Sequence, residues 1–541
     1  MAYVLAILPL IINATCIHCN TLELGINAIA GTFCPCGDSQ HPCKKGPFNA
    51  TLDLIELQPF FARTHDSNLL NDETYKINPP YGKPVFNWNN IYDLANIRMG
   101  KDPNDPANYN FNESDNFAFE FDILNIPLLL RLGDSWNSPS IAANITDDDV
   151  EDLSTVFLNI VKHYNEGWPN ERSNNKKCLK NKIKAIEFWN EPEGNFWKGS
   201  VSTYNKLLKA TITKIRQYDQ SIQIGPNFAE PYGGFNNTGF EFHAIDYLLA
   251  NVENKSLLPN IYSWHEYIYE NPLLTQKLYH KTEDELKKRN LTSFTKQIIT
   301  EWNPCASGSC TDKPNEQNTW TACDFAETVL IHASLGVKLS APYPLCAVKN
   351  DWGLLSTTMS KNSLIWRPQA YAFKMLSQVL HDTPFTWGLL NVSYGGEKKN
   401  EKFINDSSYI AAGFTNINKS HVNIIYIAND RNGKYNNYSM DTLKIDFENL
   451  IPNATYKIST HRIMNRTTTT TTTGCTNGGK IPTSSDSHVI LMHDNLDHHV
   501  VTIDKHGFGI LDMMVDELEL QHVKSPCVLQ IEMKLKKKKL F

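Results

Sequence analysis

The sequence predicts an α/β fold: a (β/α)8 TIM barrel with an appended C-terminal β-sandwich domain. Between Ile183 and Tyr343, short β-branched or aromatic runs alternate with stretches of helical periodicity, and new strands begin roughly every forty residues. From about Pro384 onward, short alternating runs are separated by Asn, Gly and Asp turns, with no helical rhythm between them. The first pattern is typical of parallel βα units, and the second is typical of a β-sandwich packed beside them.

Each element of the predicted barrel has its own signal in the chain. The stretch Val201–Tyr218 has apolar residues at three- to four-residue spacing, which predicts a helix with one buried face. The strand Ile183–Trp189 precedes this helix, and the strand Ile222–Phe228 follows it. The alternation continues with elements at Phe242–Val252, Asn260–His265, Thr282–Asn290, Gln297–Glu301, Cys323–Leu335 and Val337–Tyr343. Three earlier apolar runs supply the first strands: Leu22–Ala30, Phe60–His65 and Ile126–Gly133.

The chain of 541 residues is longer than one core usually supports, so we expect a barrel plus a smaller domain. The predicted division is a signal peptide at 1–20, the barrel at 21–383, the β-sandwich at 384–506 and an uncertain or disordered basic tail at 507–541. The apolar segment Ala2–Ile12 has the length of a signal-peptide core but lacks basic residues before it. A buried first strand or a misplaced start codon is therefore the alternative for this segment.

Composition and charge are those of an ordinary globular protein. Hydrophobic residues make up 41% of the chain and charged residues 20%, and the net charge of −7 argues against a nucleic-acid partner. No stretch after the N-terminus is long and apolar enough to predict a membrane span. About thirteen Asn-x-Ser/Thr sequons and the 12 cysteines predict a secreted or lumenal glycoprotein, in the secretory pathway or a lysosome-like compartment. Disulfides would then brace loops such as 34–43 and 305–310, because the spacing does not fit a zinc site.

Two glutamates stand where apolar runs end. Glu191 follows Ile183–Trp189, and Glu301 ends Gln297–Glu301. By our strand count they end the fourth and seventh strands, and the C-terminal strand ends of such a barrel form its open mouth. We therefore expect both carboxylates to face one cleft. Paired carboxylates in that position are the groups that cleave glycosidic bonds, one as an acid and the other as a nucleophile or base.

Neighbouring residues predict different roles for the two glutamates. Asn190 precedes Glu191 and can bind a sugar hydroxyl beside the reacting carbon, which favours Glu191 as the acid/base. The negative charge of Glu301 would keep Glu191 protonated until that charge is consumed in the reaction. Glu301 would then be the nucleophile, held ionised and oriented by Arg63 and Tyr267.

Each of these signals also has a simpler explanation. Asn-Glu-Pro is a common turn, and a single histidine such as His265 is more often a satisfied core residue than a sugar ligand. Trp302 and Trp352 fit a hydrophobic core as well as a stacking platform for a sugar ring. The interpretation as a site rests on the position of these residues, because they all fall at predicted strand ends.

Four segments together resemble glycoside hydrolase family 39, the clan A group that includes β-xylosidases and α-L-iduronidases. They are Phe188–Pro192, His265–Tyr267, Ile299–Trp302 and Trp366–Leu376. The resemblance covers about residues 55–380 and implies a retaining enzyme that acts by double displacement, with Glu191 as acid/base and Glu301 as nucleophile. It also implies a sugar subsite formed by Arg63, His65, Asn190, His265 and Tyr267. The cysteine-rich segments 34–43 and 305–323 depart from the family pattern, so they leave the substrate open.

Three functions remain open from the sequence. The first is a β-xylosidase or α-L-iduronidase-like enzyme whose partner is an oligosaccharide or glycoside substrate. The second is a catalytically inactive carbohydrate-binding secreted glycoprotein, and the third is another clan A glycosidase, such as an arabinofuranosidase or glucuronidase. A uronate substrate would need a basic group to bind its carboxylate. Lys198, Lys349 and Arg367 are available for this, but none of them is diagnostic of a uronate-binding site. We expect no metal or organic cofactor, since this chemistry needs neither, and the oligomeric state has no sequence signal.

Overall fold

The computed structural model describes the greater part of the chain. The predicted cysteine loops 34–43 and 305–310, together with Lys198, Lys349 and Trp352, lie outside it. The described residues are 10–14, 22–28, 50–65, 88–134, 145–169, 178–194, 196–197, 199–230, 240–252, 254–267, 273–303, 319–343, 345–347, 353–357, 364–394, 408–429, 442–447, 454–466, 488–494, 500–502, 509–514 and 527–538.

Strand β1 (Leu10–Ala14) belongs to a second sheet, and the strands that come next in the chain form a closed parallel barrel. The barrel strands are β2 (Glu23–Leu24), β3 (Ile26–Ala28), β4 (Ala62–Thr64), β5 (Leu128–Leu132), β6 (Ala185–Phe188), β7 (Gln223–Phe228), β8 (Ile261–Tyr267), β9 (Lys296–Asn303) and β10 (Leu339–Pro342). β2 pairs with β10 and β3 pairs with β4, so these two segments are one interrupted first strand that closes the ring. The predicted parallel barrel is confirmed, with β6 as its fourth strand and β9 as its seventh.

The interior of the barrel begins with an apolar layer. Phe61, Leu129, Ile261 and Ile298 belong to this buried cluster, near the N-terminal ends of their strands. The first strand is interrupted at Gly25. The lack of a side chain there makes room for the Phe61 ring, because a Cβ would lie 2.5 Å from it. Successive inward positions along a strand are two residues apart, so the next layer is formed by residues two positions further on. That layer is polar.

The helices of the described chain alternate with the barrel strands. They are α1 (Thr51–Leu57), α2 (Trp88–Ile91), α3 (Leu94–Arg98), α4 (Asn112–Ile123), α5 (Val150–Glu166), α6 (Val201–Tyr218), α7 (Phe240–Asn251), α8 (Leu273–Lys288), α9 (Thr319–Leu335) and α10 (Pro368–Asp382). Helix α6 has the bounds that its periodicity predicts. Its first turn is capped by the Ser200 side chain, which accepts the backbone N–H of Thr203 at 3.0 Å. Its buried face carries Tyr204, Leu207, Leu208, Ile212 and Ile215.

Two further sheets accompany the barrel. A small one contains β11 (Cys346–Ala347), β12 (Leu355–Thr357) and β13 (Leu364–Trp366). The larger one adds to β1 the strands β14 (Phe385–Tyr394), β15 (Ser408–Thr415), β16 (His421–Asn429), β17 (Thr442–Phe447), β18 (Ala454–Arg466), β19 (His488–Asp494), β20 (Val500–Thr502), β21 (Gly509–Met514) and β22 (Cys527–Lys538). Its order is β19-β18-β22-β16-β15-β14-β1-β17-β21, with β20 beside β18. The prediction of a β-rich C-terminal domain is confirmed.

The larger sheet shares a core with the barrel. Phe414 and Ile425, from β15 and β16, belong to the same buried cluster as the barrel residues. The amide of Asn423 in β16 donates to the hydroxyl of Thr383, just beyond α10, at 3.0 Å. Apolar packing and a buried hydrogen bond therefore attach this sheet to the end of α10, the last helix of the barrel.

The prediction of a disordered or uncertain tail at 507–541 needs correction. β22 lies between β16 and β18, in the middle of the larger sheet, and β21 pairs with β17. The signal was present in the sequence, because apolar residues alternate with polar ones along β22: Leu529, Ile531, Met533 and Leu535.

The start of the chain contributes a strand to the larger sheet. Leu10–Ala14 form β1, which pairs antiparallel with β14 and parallel with β17. In the structure these residues are therefore part of the larger sheet, and the assignment of 1–20 as a signal peptide stays a prediction of the sequence. Among the described helices, none combines the length and the apolar character needed to cross a bilayer.

Candidate active site

The carboxylates of Glu191 and Glu301 meet at the C-terminal ends of the barrel strands. Glu191 lies just beyond β6, and Glu301 lies near the end of β9. One oxygen of each carboxylate and one ring nitrogen of His265 all lie within 4.8 Å of one another. The side chain of Glu301 is 7% exposed and that of Glu191 is 16% exposed. The two groups are therefore close enough to act on one bond, with Glu191 on the more open side.

A β-bulge directs Glu301 into the barrel. In the pairing of β8 with β9, the register shifts by one residue between Trp264 and His265, which leaves Thr300 as the extra residue of β9. Thr300 and Glu301 both face inward as a result, and the Thr300 hydroxyl lies 2.7 Å from that of Ser263. Without the bulge, strict alternation would place one of these two neighbours inside and the other outside.

The segment that carries Glu191 is held in an uncommon backbone conformation. Trp189 has φ of 68° and Glu191 has φ of 39°, in the left-handed region that residues other than glycine seldom adopt. The backbone N–H of Trp189 donates to the carbonyl of Leu132 at 2.5 Å, and that of Glu191 donates to Oδ1 of Asn227 at 3.1 Å. A Cβ at Gly133 would come within 2.6 Å of the Trp189 ring. The neighbouring third and fifth strands thus hold the turn that presents Glu191.

Arg63, in β4, is the buried centre of the site. Its NH1 donates to Glu301 Oε2 at 3.1 Å and to Asn27 Oδ1 at 2.9 Å, and its NH2 donates to Asn190 Oδ1 at 2.9 Å. Its Nε donates to Glu187 Oε2 at 2.6 Å. Burial by itself would lower the pKa of Arg63, but the negative charges of Glu187 and Glu301 raise it, so the guanidinium stays charged.

Glu301 is surrounded by groups that favour its ionised form. Its Oε1 accepts the phenol hydrogen of Tyr267, and its Oε2 lies 3.5 Å from His65 Nε2. Burial alone would raise the pKa of Glu301, but attraction to His265, His65 and Arg63 holds that pKa well below its usual range. Burial, and then the charge of Glu301, raise the pKa of Tyr267, so this phenol keeps its hydrogen and donates it.

His265 connects the two carboxylates to the interior of the barrel. Its Nδ1 lies 2.6 Å from Glu191 Oε1 and 3.6 Å from Glu301 Oε2. Its Nε2 lies 2.8 Å from Asn227 Nδ2 and 3.2 Å from Arg63 NH2. One edge of the ring therefore faces the reacting groups, and the other faces a buried hydrogen-bond network.

The residues of that network were not predicted from the sequence. Its members are fully buried: Asn27, Glu187, Asn227, Ser263 and Thr300. Glu187 accepts hydrogen bonds from Arg63 Nε and, at 2.5 Å, from the Ser263 hydroxyl. A signal did exist, since Ser263 and Thr300 each stand two positions after a residue of the apolar layer. Polar residues in an otherwise apolar strand, on the face that points inward, mark this layer.

The structure brings most of the predicted site residues together. These are Glu191, Glu301, Asn190, His265, Tyr267, Arg63 and His65. Trp352 lies outside the described residues. Of the basic candidates for a uronate, Arg367 is buried just before α10, and Lys198 and Lys349 lie outside the described residues.

The structure does not support the prediction that Trp302 is a stacking platform for a sugar ring. Its indole faces away from the carboxylates, where Nε1 donates to Ser340 Oγ at 2.8 Å and the ring packs against Phe325 and His332 of α9. It is 0% exposed, so it offers no face to a sugar ring. The bulge that turns Glu301 inward leaves the next residue pointing outward, which sequence alternation alone did not reveal.

Glu191, His265 and Glu301 are the group of described residues whose ligand atoms could converge on a metal ion. The surroundings are poorly suited to one. Arg63 and Tyr267 already donate to Glu301, and a cation there would face the guanidinium charge as well. The donor arrangement fits an ionised carboxylate that accepts hydrogen bonds better than it fits a metal ligand set.

No protein-family model matches this chain, and no curated protein matches its sequence. Solved structures do share its fold. A glucosidase from Croceicoccus marinus aligns over 98% of this chain and 99% of its own, with a TM-score of 0.60 and 15% identity. An α-L-arabinofuranosidase from Thermotoga maritima aligns over 97% of this chain and 100% of its own, with a TM-score of 0.56 and 12% identity.

A third structure is described as a bacterial orthologue of human α-L-iduronidase. It aligns over 97% of this chain and 84% of its own, with a TM-score of 0.58 and 11% identity. Identities this low establish the fold and not the substrate. The chain therefore has the barrel and sheet architecture in which these glycosidases are built.

Proposed function

We propose that this protein is a retaining O-glycosidase of clan A, with Glu191 as the acid/base and Glu301 as the nucleophile. The observation that carries the proposal is the approach of the two carboxylates, since one oxygen of Glu191 lies within 4.8 Å of one oxygen of Glu301. Carboxyl groups about 5–5.5 Å apart are typical of retaining enzymes, whereas inverting enzymes keep them about 6.5–9.5 Å apart to admit a water molecule. The spacing supports retention.

The proposed reaction has two steps. In the first, Glu301 attacks the anomeric carbon while Glu191 gives its proton to the departing oxygen, and a covalent glycosyl-enzyme forms. In the second, Glu191 takes a proton from water, the resulting hydroxide attacks the anomeric carbon, and the bond to Glu301 breaks. The configuration at that carbon is inverted twice and is therefore retained.

The surroundings support this division of roles. Glu301 is the more buried carboxylate, and its contacts with Arg63 and Tyr267 favour the anion that a nucleophile requires. Glu191 is the more exposed one, which suits a group that must meet both a leaving group and a water molecule. Asn190 directly precedes Glu191, and its Oδ1 accepts a hydrogen bond from Arg63, which also donates to Glu301.

We propose that the substrate is a neutral pentoside or hexoside rather than a uronide. Arg63 is the cation that contacts both Glu301 and Asn190, and its nitrogens are already directed at Glu187, Glu301, Asn27 and Asn190. A uronate carboxylate would need another positive partner. Membership of family 39 with β-xylosidase activity is our first candidate. An α-L-arabinofuranosidase is the second, because a protein described so shares the fold over nearly the whole chain.

A mechanism-based label tests the proposal directly. A 2-fluoro glycoside slows the second step, so active enzyme should accumulate a covalent adduct on Glu301, located by peptide mass spectrometry. Labelling of another residue in active enzyme would refute the assignment of the nucleophile. No labelling and no turnover of any glycoside would favour the alternative of a non-catalytic carbohydrate-binding protein.

Two substitutions separate the roles of the carboxylates. Glu301→Ala should abolish turnover, and added azide should restore part of it by attacking in place of the missing nucleophile. Glu191→Ala should slow aryl glycosides with poor leaving groups by ~100-fold or more and spare those with good ones, which need little protonation. Equal loss on both kinds of substrate would count against Glu191 as the acid.

A panel of aryl glycosides identifies the sugar. It should contain β-xyloside, α-L-arabinofuranoside, β-glucoside, α-L-iduronide and β-glucuronide, assayed under identical conditions. Preference for either uronide would overturn our proposal of a neutral sugar without affecting the proposed mechanism. Export to a secretory or lysosome-like compartment stays a prediction of the sequence.

A further inference from the structure

His265 stands between two nitrogen donors and two carboxylates. Its Nε2 lies 2.8 Å from the amide nitrogen of Asn227 and 3.2 Å from Arg63 NH2. A guanidinium can only donate hydrogen bonds, and so can an amide nitrogen. An N–H at Nε2 would point its hydrogen at these donors. The geometry therefore requires Nε2 to be the bare, accepting nitrogen of the ring.

The orientation of the Asn227 amide is fixed independently. Its Oδ1 accepts the backbone N–H of Glu191 at 3.1 Å, so its other end, Nδ2, must face His265 and the Ser263 hydroxyl, which lies 3.0 Å away. Turning the amide over would place its NH2 group against the N–H of Glu191. The carbonyl and amide ends of Asn227 can thus be distinguished by their partners.

The network continues below Asn227 to a buried anion. Ser263 donates its hydrogen to Glu187 Oε1 at 2.5 Å, which leaves its oxygen to accept from Asn227 Nδ2. The second oxygen of Glu187 accepts from Arg63 Nε at 2.6 Å. Every direction in this chain of bonds is set by a carboxylate at one end and a guanidinium at the other, which donate or accept in one way only.

We propose that Asn227 and Ser263 are positioning residues that hold His265 in its neutral form with the hydrogen on Nδ1, and that this hydrogen places the acid proton of Glu191 on Oε2. This role of Asn227 and Ser263 rests on the proposed glycosidase function. Nδ1 lies 2.6 Å from Glu191 Oε1 and donates to it. An oxygen that accepts this bond is the carbonyl oxygen of the protonated carboxyl group, so the acidic O–H is on the other oxygen.

The consequence for the reaction is that one oxygen serves both steps. Oε2 of Glu191 gives its proton to the leaving oxygen as the glycosidic bond breaks, and Oε1 keeps the hydrogen bond from His265 throughout. Oε2 then takes a proton from the attacking water, which restores the starting state. The acid does not need to rotate between steps, because His265 distinguishes its two oxygens.

The tautomer is measured in the unaltered protein with histidine labelled by nitrogen-15. Protonated and bare ring nitrogens give well-separated NMR signals, and His265 is assigned from the signals lost in His265→Gln. We expect Nδ1 to be protonated and Nε2 bare across the pH range in which the enzyme is active. A hydrogen on Nε2 of His265 would overturn the proposal even if the enzyme proves to be a glycosidase.

A kinetic test uses Asn227→Asp, which puts an accepting oxygen where the Nδ2 donor stands. The Nε2 of His265 should then become protonated, and aryl glycosides with poor leaving groups should lose ~10–100-fold in kcat while good ones change ~3-fold or less. The matched control is Asn165→Asp, another buried amide, bonded to the backbone of Ile183 and remote from the site. This variant should be less stable than the unaltered protein, but any change in its kcat should be the same for good and poor leaving groups.

The outcomes separate this proposal from the function on which it rests. A uniform loss across leaving groups in Asn227→Asp, with Nε2 of His265 still bare, would refute the role of Asn227. Ser263→Ala should cause a smaller shift in the same direction, because Asn227 Nδ2 keeps its bond to His265. No 2-fluoro labelling and no turnover of any glycoside would refute the glycosidase and leave the NMR result on the tautomer standing.

Discussion

The Nε of Arg63 lies 2.6 Å from Oε2 of Glu187, and neither side chain is accessible to solvent. Burial alone would raise the pKa of Glu187, but the charge of Arg63 and the hydrogen bonds from Ser263 and Thr300 lower it. Glu187 is therefore a third carboxylate, beneath Glu191 and Glu301, that stays ionised. It fixes the direction of the guanidinium that holds both Glu301 and Asn190.

Glu187→Gln should impair catalysis more than binding. Gln keeps the shape but removes the charge, so Arg63 loses its fixed orientation and its contacts with Glu301 and Asn190 weaken. We expect kcat to fall ~10–100-fold with a smaller change in KM, because these contacts strengthen in the transition state. The free energy of unfolding should fall by ~1–3 kcal/mol.

Glu285→Gln is the control for this substitution. Glu285 pairs with Lys288 at the end of helix α8 and with Arg289 just beyond it, where the side chains keep some contact with solvent, so its loss should cost ~1 kcal/mol or less. Steady-state kinetics and urea unfolding measure both variants. A Glu187→Gln enzyme with unchanged kcat would show that Arg63 does not depend on Glu187 for its orientation.

Tyr267→Phe should weaken the nucleophile. The phenol hydrogen is donated to Glu301 Oε1, and this bond stabilises the carboxylate anion. We expect kcat/KM to fall ~100–1000-fold, the usual cost of losing one donor to a developing or reacting charge. The pKa of Glu301 should rise as the donor is lost, so the acidic limb of the pH profile should move to higher pH.

The measurement for Tyr267 is the pH dependence of kcat/KM, with Tyr279→Phe as the control. Tyr279 lies on helix α8, away from the carboxylates, and its removal should leave the profile in place. An acidic limb that stays fixed in Tyr267→Phe would mean that the phenol does not stabilise the ionised Glu301.

Gly133→Ala should damage both stability and activity. A Cβ at this position would lie 2.6 Å from the Trp189 ring and 2.8 Å from its Cα, and the residue has φ of 115°. Trp189 would have to move, and with it the turn that presents Glu191. We expect a loss of ~2–4 kcal/mol in the free energy of unfolding and a clear fall in kcat.

Gly100→Ala separates crowding from backbone strain. Gly100 also has positive φ, at 70°, but a Cβ there would meet nothing within 4 Å. Its substitution should cost only ~1 kcal/mol, from backbone conformation. Thermal unfolding and kinetics compare the two variants, and equal effects would show that contact with Trp189 is unimportant.

Glu266 makes the stability of the protein depend on pH. Its carboxyl is buried outside the barrel wall, where Oε2 accepts from Thr275 at 2.7 Å and lies 3.9 Å from His332 Nε2. Burial, and to a lesser extent the charge of Glu230, raise the pKa of Glu266 from 4.5 to about 8. The folded state then binds a proton that the unfolded state releases, so this contribution to stability is full below pH 4.5 and is lost as the pH rises to about 8.

Glu266→Gln should remove this dependence. The free energy of unfolding of the unaltered protein should fall by on the order of 2–4 kcal/mol more than that of the variant between acidic pH and pH 8. His332 opposes the trend at low pH, since burial lowers its pKa to about 3 and its contribution is lost as the pH falls below 6.5. Denaturant unfolding at several pH values, with the exposed Glu120→Gln as control, measures the difference. Parallel curves for all three proteins would contradict it.

The barrel was predictable because its signals are local and repeated. Helix α6 shows this most clearly, since its apolar spacing predicts both its bounds and its buried face. Glu191 and Glu301 were predictable for a related reason: a glutamate at the end of an apolar strand has few structural uses. β22 was missed although its alternation is just as regular, because its lysines suggested a solvated tail.

The residues below the site were harder to predict, because their function depends on partners far away in the chain. In the sequence, Glu187 is a single polar residue in a buried strand. Its role becomes visible only in the structure, where Arg63 and Ser263 lie beside it. Asn227 likewise gains its role only through contacts with Glu191 and His265. Hydrogen bonds of this kind are directional over about 3 Å, so no spacing in the sequence records them.

The sequence by itself determined that Glu191 and Glu301 stand at the mouth of a parallel barrel, since strand periodicity and the direction of the chain are local properties. Only the tertiary structure decided which side chains point at them. The bulge at Thr300 turns Glu301 inward and Trp302 outward, against simple alternation. The physical reason is that a shift of one residue in strand register reverses the faces of a strand, and register is set by pairing with a neighbour distant in sequence.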